Sequence, residues 1–205
     1  MKLTGSQTKF LRWTLRASFL LPLVYWVYMG LQGELGVQPI VTVNRQTGYV
    51  LLFLILANLW LGVFIRRKWL GPQWMRWIFS ERRSLGIAAG CYVILHFGAY
   101  LGREAFESKA FVQIFEKFYL TMGFFAMCMV LAMAFTSNDF SVKKLGFQRW
   151  KTLHRMIHVA SIFILIHIFL IEKGNLPLMA IMTFPLIPFQ IYRFYGALMR
   201  KRKKT

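Results

Sequence analysis

Six long apolar runs divide the chain, over residues 10–30, 48–65, 85–101, 115–135, 153–171 and 176–192. Charged, glycine-bearing or proline-bearing segments separate them. Runs of this length exceed a buried strand and fall in the range of roughly 17 to 25 residues that lets a helix cross a bilayer's hydrocarbon core. The pattern predicts an all-α membrane protein: a bundle of six transmembrane helices forming a single domain over residues 1–205. In the first run the apolar part that contains Pro22 follows Lys2, Lys9, Arg12 and Arg16, as in a signal peptide, but no small-x-small cleavage site comes after it, so it reads as a span. Pro185 and Pro188 interrupt the last run and predict a kink, with neighbours satisfying the freed backbone groups. Thr47 and Gly48 read as an ordinary helix entry to the second span. Asn58, alone and polar within that span, predicts an interhelical hydrogen bond.

Composition strengthens this reading. Hydrophobic residues make up 57% of 205 residues and aromatics 17%, and the mean hydropathy is +0.48. A soluble domain of this size could not hide so much apolar surface. Cys91 and Cys128 both lie in apolar runs, where a thiol acts as a small hydrophobe, and no Cys-x-x-Cys-His exists for covalent haem attachment.

The net charge of +19 adds orientation. Twenty-one of 26 basic residues fall at the N-terminus, in the second and fourth loops, and in the tail from Arg193, with only Glu81 and Asp139 against them. Alternate loops carrying such an excess are cytoplasmic, which predicts that both termini lie inside the cell. The basic residues flank apolar spans rather than forming one domain face with interleaved aromatics, so nucleic-acid binding is excluded. The run Arg200 to Lys204 fits a stop-transfer anchor or a contact with anionic lipid. There is no Gly-x-Gly-x-x-Gly turn and no P-loop, so the expectation is that electrons or substrates come from another protein.

All four histidines lie in or beside the third and fifth spans. An ionisable side chain at membrane depth is costly and marks a functional site by default. His96, about eleven residues into the third span, lies roughly 16 Å from the cytoplasmic side, and His167 lies about 20 Å above His154. His96 and His167 thus share the outer half, as two imidazoles clamping one haem iron would. His154, near the cytoplasmic face, predicts an axial ligand of a second, inner haem, with propionates drawn to Arg82, Arg83, Arg149 or Arg155. Thirteen positions put His154 and His167 roughly 140° apart around an ideal helix, so a bend, or haems on different flanks, is required. His158 is the alternative inner ligand; its other reading is a hydrogen bond to a neighbouring helix. Gly86, Gly90, Gly98 and Gly102 open a smooth strip beside His96, for close helix packing or for a flat porphyrin face. The methionines from Met122 to Met133 read as adaptable packing rather than a soft-metal path.

Several short words in fixed order then resemble a known family. They are Arg45-Gln46-Thr47-Gly48, Arg82-Arg83-Ser84-Leu85-Gly86, Leu95-His96, Ala134-Phe135-Thr136-Ser137, Lys144-Leu145-Gly146 followed by Trp150, Leu153-His154 and Ile166-His167. Together they resemble the MsrQ (YedZ) haem-binding membrane subunits of the bacterial periplasmic protein-methionine-sulfoxide reductase system, within the ferric-reductase-like membrane domains. The resemblance implies b-type haem, one or two, held by His96, His154 and His167. It also implies FMN, an inner-membrane location, electrons from quinol or a cytoplasmic flavin reductase, and delivery to a periplasmic molybdopterin subunit of MsrP type. Relatives place two histidines thirteen or fourteen apart on each of two helices; here Arg83 and Arg82 stand at those distances before His96. The alternatives are a transmembrane ferric or dioxygen reductase core and a haem-free transporter or assembly factor.

Overall fold

A computed structural model describes residues 5–67, 72–171, 184 and 186–202, and every regular element among them is helical. The chain divides into two compact units, Met1–Ala110 and Phe111–Thr205.

In the first unit, α1 (Gly5–Ser18) and α2 (Leu21–Leu31) form one apolar stretch broken at Phe19 and Leu20. The break has a local cause. Pro22 has no N–H and is accommodated in the first turn of α2. The Phe19 carbonyl at the break accepts a 2.6 Å hydrogen bond from the Tyr92 hydroxyl. Tyr92 also meets the buried Trp26 edge-on, with ring centroids 6.2 Å apart. Tyr92→Phe keeps that ring contact and loses the bond, so it should cost about 1 kcal/mol by the measured worth of such bonds in membrane proteins. Thermal unfolding of detergent-solubilised protein checks this, and an unchanged midpoint would show that the bond stabilises nothing.

The main body of this unit is the pair α3 (Pro39–Arg67) and α4 (Pro72–Arg103). Leu52, Ile55, Leu59 and Val63 of α3 are buried, as are Leu85, Ala88, Ala89, Tyr92 and Val93 of α4. The small residues at 88 and 89 permit close approach, as expected where lipid supplies no hydrophobic drive between helices.

In the second unit, α5 (Ser108–Glu116) leads through the extended Lys117 into α6 (Phe118–Phe135). Next come α7 (Asp139–Leu145), α8 (Phe147–His154) and α9 (Ile157–Ile171), and α10 covers Leu186–Arg202. Asn138 caps α7 by accepting from the Ser141 N–H at 2.8 Å. Gly146, at φ 75°, supplies the left-handed turn between α7 and α8 that other residues rarely adopt. Ala126 and Val130 of α6 and Ala160 and Ser161 of α9 are buried.

Among the described residues, five helical stretches are long and apolar enough to cross a membrane: Gly5–Leu31, Pro39–Phe64, Ser80–Arg103, Phe118–Phe135 and Phe147–Ile171. Large apolar side chains lie exposed along them, among them Val24, Phe53, Ile94, Phe125 and Phe169. That surface suits lipid and not water. These five correspond to the first five apolar runs, with different ends. The second begins at Pro39 instead of 48, and the helix holding the third begins at Pro72, so Arg82 and Arg83 are helical rather than loop residues. Hydropathy stops at the charges, whereas the backbone's hydrogen bonds continue past them. The sixth run lies mostly outside the described residues. Pro188 falls in the first turn of α10, where a missing N–H breaks no helical bond.

Candidate functional site

His96 projects from α4 onto α3. Its Nδ1 donates to the Asn44 backbone carbonyl at 2.9 Å, and the Asn44 side-chain amide donates back to the His96 carbonyl at 2.8 Å. The Thr47 hydroxyl, nearly fully buried, donates to the same Asn44 carbonyl at 2.8 Å and lies 3.3 Å from His96 Nδ1. The ring rests on Gly48: a Cβ there would come within 3.1 Å of His96 Cε1. A proton fixed on Nδ1 places the imidazole lone pair on Nε2, the tautomer a metal ligand needs.

His167 repeats the arrangement in the second unit. From α9 its Nδ1 donates to the Tyr119 carbonyl at 2.6 Å, and a Cβ on Gly123 would stand 2.7 Å from its Cε1 and Nδ1. In both units the accepting carbonyl lies four residues before the glycine.

The spacing repeats further. Fourteen residues after Asn44 and Gly48 stand Asn58 and Gly62, and fourteen before His96 stands Arg82. Arg82 Nε donates to Asn58 Oδ1 at 3.0 Å, and Asn58 Nδ2 donates to the Arg82 carbonyl at 2.9 Å. A Cβ on Gly62 would lie 3.3 Å from the guanidinium. The interhelical bond expected of Asn58 is therefore present in reciprocal form. Fourteen residues after Gly123 stands Ser137, whose hydroxyl donates to the Met133 carbonyl at 2.7 Å and lies 3.2 Å from His154 Nε2.

His154 ends α8. Its Nδ1 donates to the Trp150 carbonyl at 3.0 Å, and its ring lies 4.1 Å from the Trp150 ring. The Trp150 indole donates to the Thr136 carbonyl at 2.9 Å, tying α8 to the end of α6. The helix is interrupted at Arg155 and Met156 before α9 begins, between His154 and His167. His158 touches α10 through its main chain: Gln190 Nε2 donates to the His158 carbonyl at 3.2 Å and also bonds the Ser161 hydroxyl. Arg83, Arg149 and Arg155 are exposed, and Arg82 is half-buried.

Among the described residues no three histidine, cysteine or carboxylate side chains gather as a metal site. A haem demands less, because its macrocycle supplies four nitrogens and the protein at most two. Gly98 bears on the glycine strip: a Cβ there would meet no atom within 4 Å, so at that position the strip does not serve close helix packing.

Sequence reading located the histidines and missed what holds them. Thr47 and Gly48, read as a helix entry, lie a full turn and more inside α3, and Gly48 is the seat of His96. Gly123, Tyr119 and Asn44 belong to none of the motifs that the sequence offers, and Ser137 enters only through Ala134-Phe135-Thr136-Ser137. The available signal was the 14-residue spacing of Asn-x-x-x-Gly at 44–48 and 58–62, which mirrors the separation of Arg82 from His96.

A family model described as a ferric reductase like transmembrane component matches residues 46–166, an interval holding His96 and His154 and ending one residue before His167. A Deinococcus radiodurans protein named protein-methionine-sulfoxide reductase heme-binding subunit MsrQ is 38% identical over 69% of this chain and 68% of its own length. Proteins of the same name from Brucella anthropi and Brucella melitensis biotype 2 are 34% and 31% identical, over 72% and 79% of this chain and 65% and 71% of their own. No solved structure matches.

Proposed function

Since the chain belongs to the ferric-reductase-like transmembrane family and, within it, to the MsrQ subunits, we propose that it is a b-haem electron-transfer subunit of the inner membrane. It serves a periplasmic molybdopterin methionine sulfoxide reductase of MsrP type. The observation that carries this reading is the pair of imidazoles, His96 and His167, each with Nδ1 bonded to a backbone carbonyl of a neighbouring helix. That donor chemistry fits haem iron, which takes a neutral imidazole through Nε2.

In this reading His96 and His167 are the axial ligands in the outer half of the membrane, and both termini are cytoplasmic. His154 is the ligand of an inner haem, with His158 as its alternative, and Arg82, Arg83 and Arg155 answer propionate charge at the cytoplasmic end. Bound haem supplies one-electron redox chemistry. The chain's own contribution is to orient the rings, exclude water and set the charge around them. Quinol or a cytoplasmic flavin reductase is the donor, and FMN belongs to the same reading.

Absorbance of detergent-purified protein, oxidised and dithionite-reduced, with pyridine haemochrome quantification, should give one or two b haems per chain. Flavin extraction should release FMN. Proteoliposomes supplied with quinol and the periplasmic subunit should reduce methionine sulfoxide. A colourless preparation from haem-replete cells would overturn the proposal. Ferric chelate reduction without any periplasmic partner would favour the ferric reductase reading suggested by the family description.

A further inference from the structure

The ferric-reductase and MsrQ relationship does not specify how each imidazole is aimed. We propose that Gly48 and Gly123 are positioning residues, each uncovering one backbone carbonyl so that the ligand histidine on the neighbouring helix can hydrogen-bond it and be fixed in azimuth. This inference rests on the haem reading above.

The argument is geometric. In an α-helix the carbonyl of residue i accepts from the N–H of residue i+4, which uses one of its two lone pairs. The Cβ of residue i+4 tilts toward the helix N-terminus and so leans back over that carbonyl. Asn44 and Gly48 stand in this relation, and so do Tyr119 and Gly123. Removing the Cβ opens the outer side of the carbonyl, which at Asn44 is shared with the Thr47 hydroxyl at 2.8 Å. His96 and His167 use that opening, with Nδ1–O distances of 2.9 and 2.6 Å.

Fourteen residues on, Gly62 repeats the position within α3, whereas Ser137 lies just past the end of α6, and both have a different outcome. At Gly62 the group seated is the Arg82 guanidinium, gripped by the Asn58 side chain. At Ser137 a Cβ is present, and the serine hydroxyl takes the Met133 carbonyl and itself meets His154. Of the three histidines facing these positions, only the two facing glycine bond the carbonyl across the helix pair. His154 turns Nδ1 to a carbonyl of its own helix. The two rings that rest on a helical glycine thus share one direction for the Nδ1 proton, toward the carbonyl four residues before it.

The two glycines differ in tolerance. An added Cβ at 123 would lie 2.7 Å from the His167 ring, which must then move by about 0.7 Å, beyond the roughly 0.5 Å within which a preorganised site works. At 48 the contact is 3.1 Å, and a smaller shift suffices.

The test uses full-length, haem-loaded protein in native membranes and reads low-temperature EPR of the ferric state and the haem midpoint potential. Both report ring orientation and ligand strength, and a packing defect alone would leave them in place. Gly123→Ala should convert most of one low-spin signal to high spin. Gly48→Ala should keep six-coordination with a displaced low-spin signal. Gly196→Ala, whose Cβ would meet no atom within 4 Å, should match wild type. Should Gly123→Ala fail to accumulate, Gly48→Ala decides. If wild type is low-spin and both seat variants retain its EPR signals and midpoints, the inference fails while the haem reading stands. If wild type itself holds no low-spin haem, the haem reading fails first.

Discussion

His167→Ala is expected to abolish the low-spin, six-coordinate spectrum of the haem it ligates, with haem retention at that position falling by about 100-fold or more. Removing even a second-shell partner of a metal ligand costs about 10- to 100-fold, and the ligand itself should cost more. The fold should survive. The Tyr119 carbonyl that His167 leaves behind retains its helical partner, the Gly123 N–H, so no buried donor or acceptor is fully orphaned. His96→Ala should behave alike for the same reason, since the Asn44 carbonyl keeps its bond from Thr47. Because each truncation leaves a ring-sized gap beside a glycine, imidazole added at millimolar concentration should restore the low-spin bands. His158→Ala should leave the spectrum intact, because that residue's interhelical bond runs through its backbone. Full low-spin haem in either alanine variant would remove that residue from the ligand set, and a lost spectrum in His158→Ala would restore the alternative.

How much of this was legible beforehand follows from what each signal measures. Apolar run length reports what can cross a bilayer, so the first five candidate spans could be read directly. Helix ends could not. α3 starts nine residues before its apolar run because Asn44, Arg45 and Gln46 interrupt hydropathy without interrupting hydrogen bonding. That misplacement hid the site's supports, since a glycine at a helix entry and a glycine a full turn inside a helix carry opposite meanings. The azimuths of His154 and His167 called for a bend or for haems on different flanks, and the helix is interrupted at Arg155 and Met156, where no proline or glycine signals it. Beside that interruption Trp150 and His154 fasten α8 to the end of α6.

Glu81 shows the same limit from the charge side. Counted by sequence as one of two acids in a basic face, it is an intrahelical residue of α4 only 2% exposed. Its carboxylate meets Arg12 Nε at 3.0 Å and Arg16 Nε at 3.3 Å, and accepts from Ser80 and Ser84 at 3.3 and 3.1 Å. The partners are unequal: the two guanidiniums are 40% and 47% exposed while the carboxylate is sealed. Truncating one side is therefore not equivalent to truncating the other. The Arg12→Ala, Arg16→Ala double variant strands a buried anion on two hydroxyls and should cost about 3 kcal/mol. Glu81→Gln frees two cations that can turn to water and should cost only about 1 kcal/mol. Combining all three changes should recover much of the loss, because the stranded charge is then gone. Thermal unfolding in detergent measures the three. Since Glu81 adjoins Arg82, the double variant should also loosen the Asn58–Arg82 pair, seen as faster amide exchange around Arg82 within α4. If Glu81→Gln proved the costlier change, the carboxylate would have to be the solvated partner, and α1 would not be anchored to α4 through this residue.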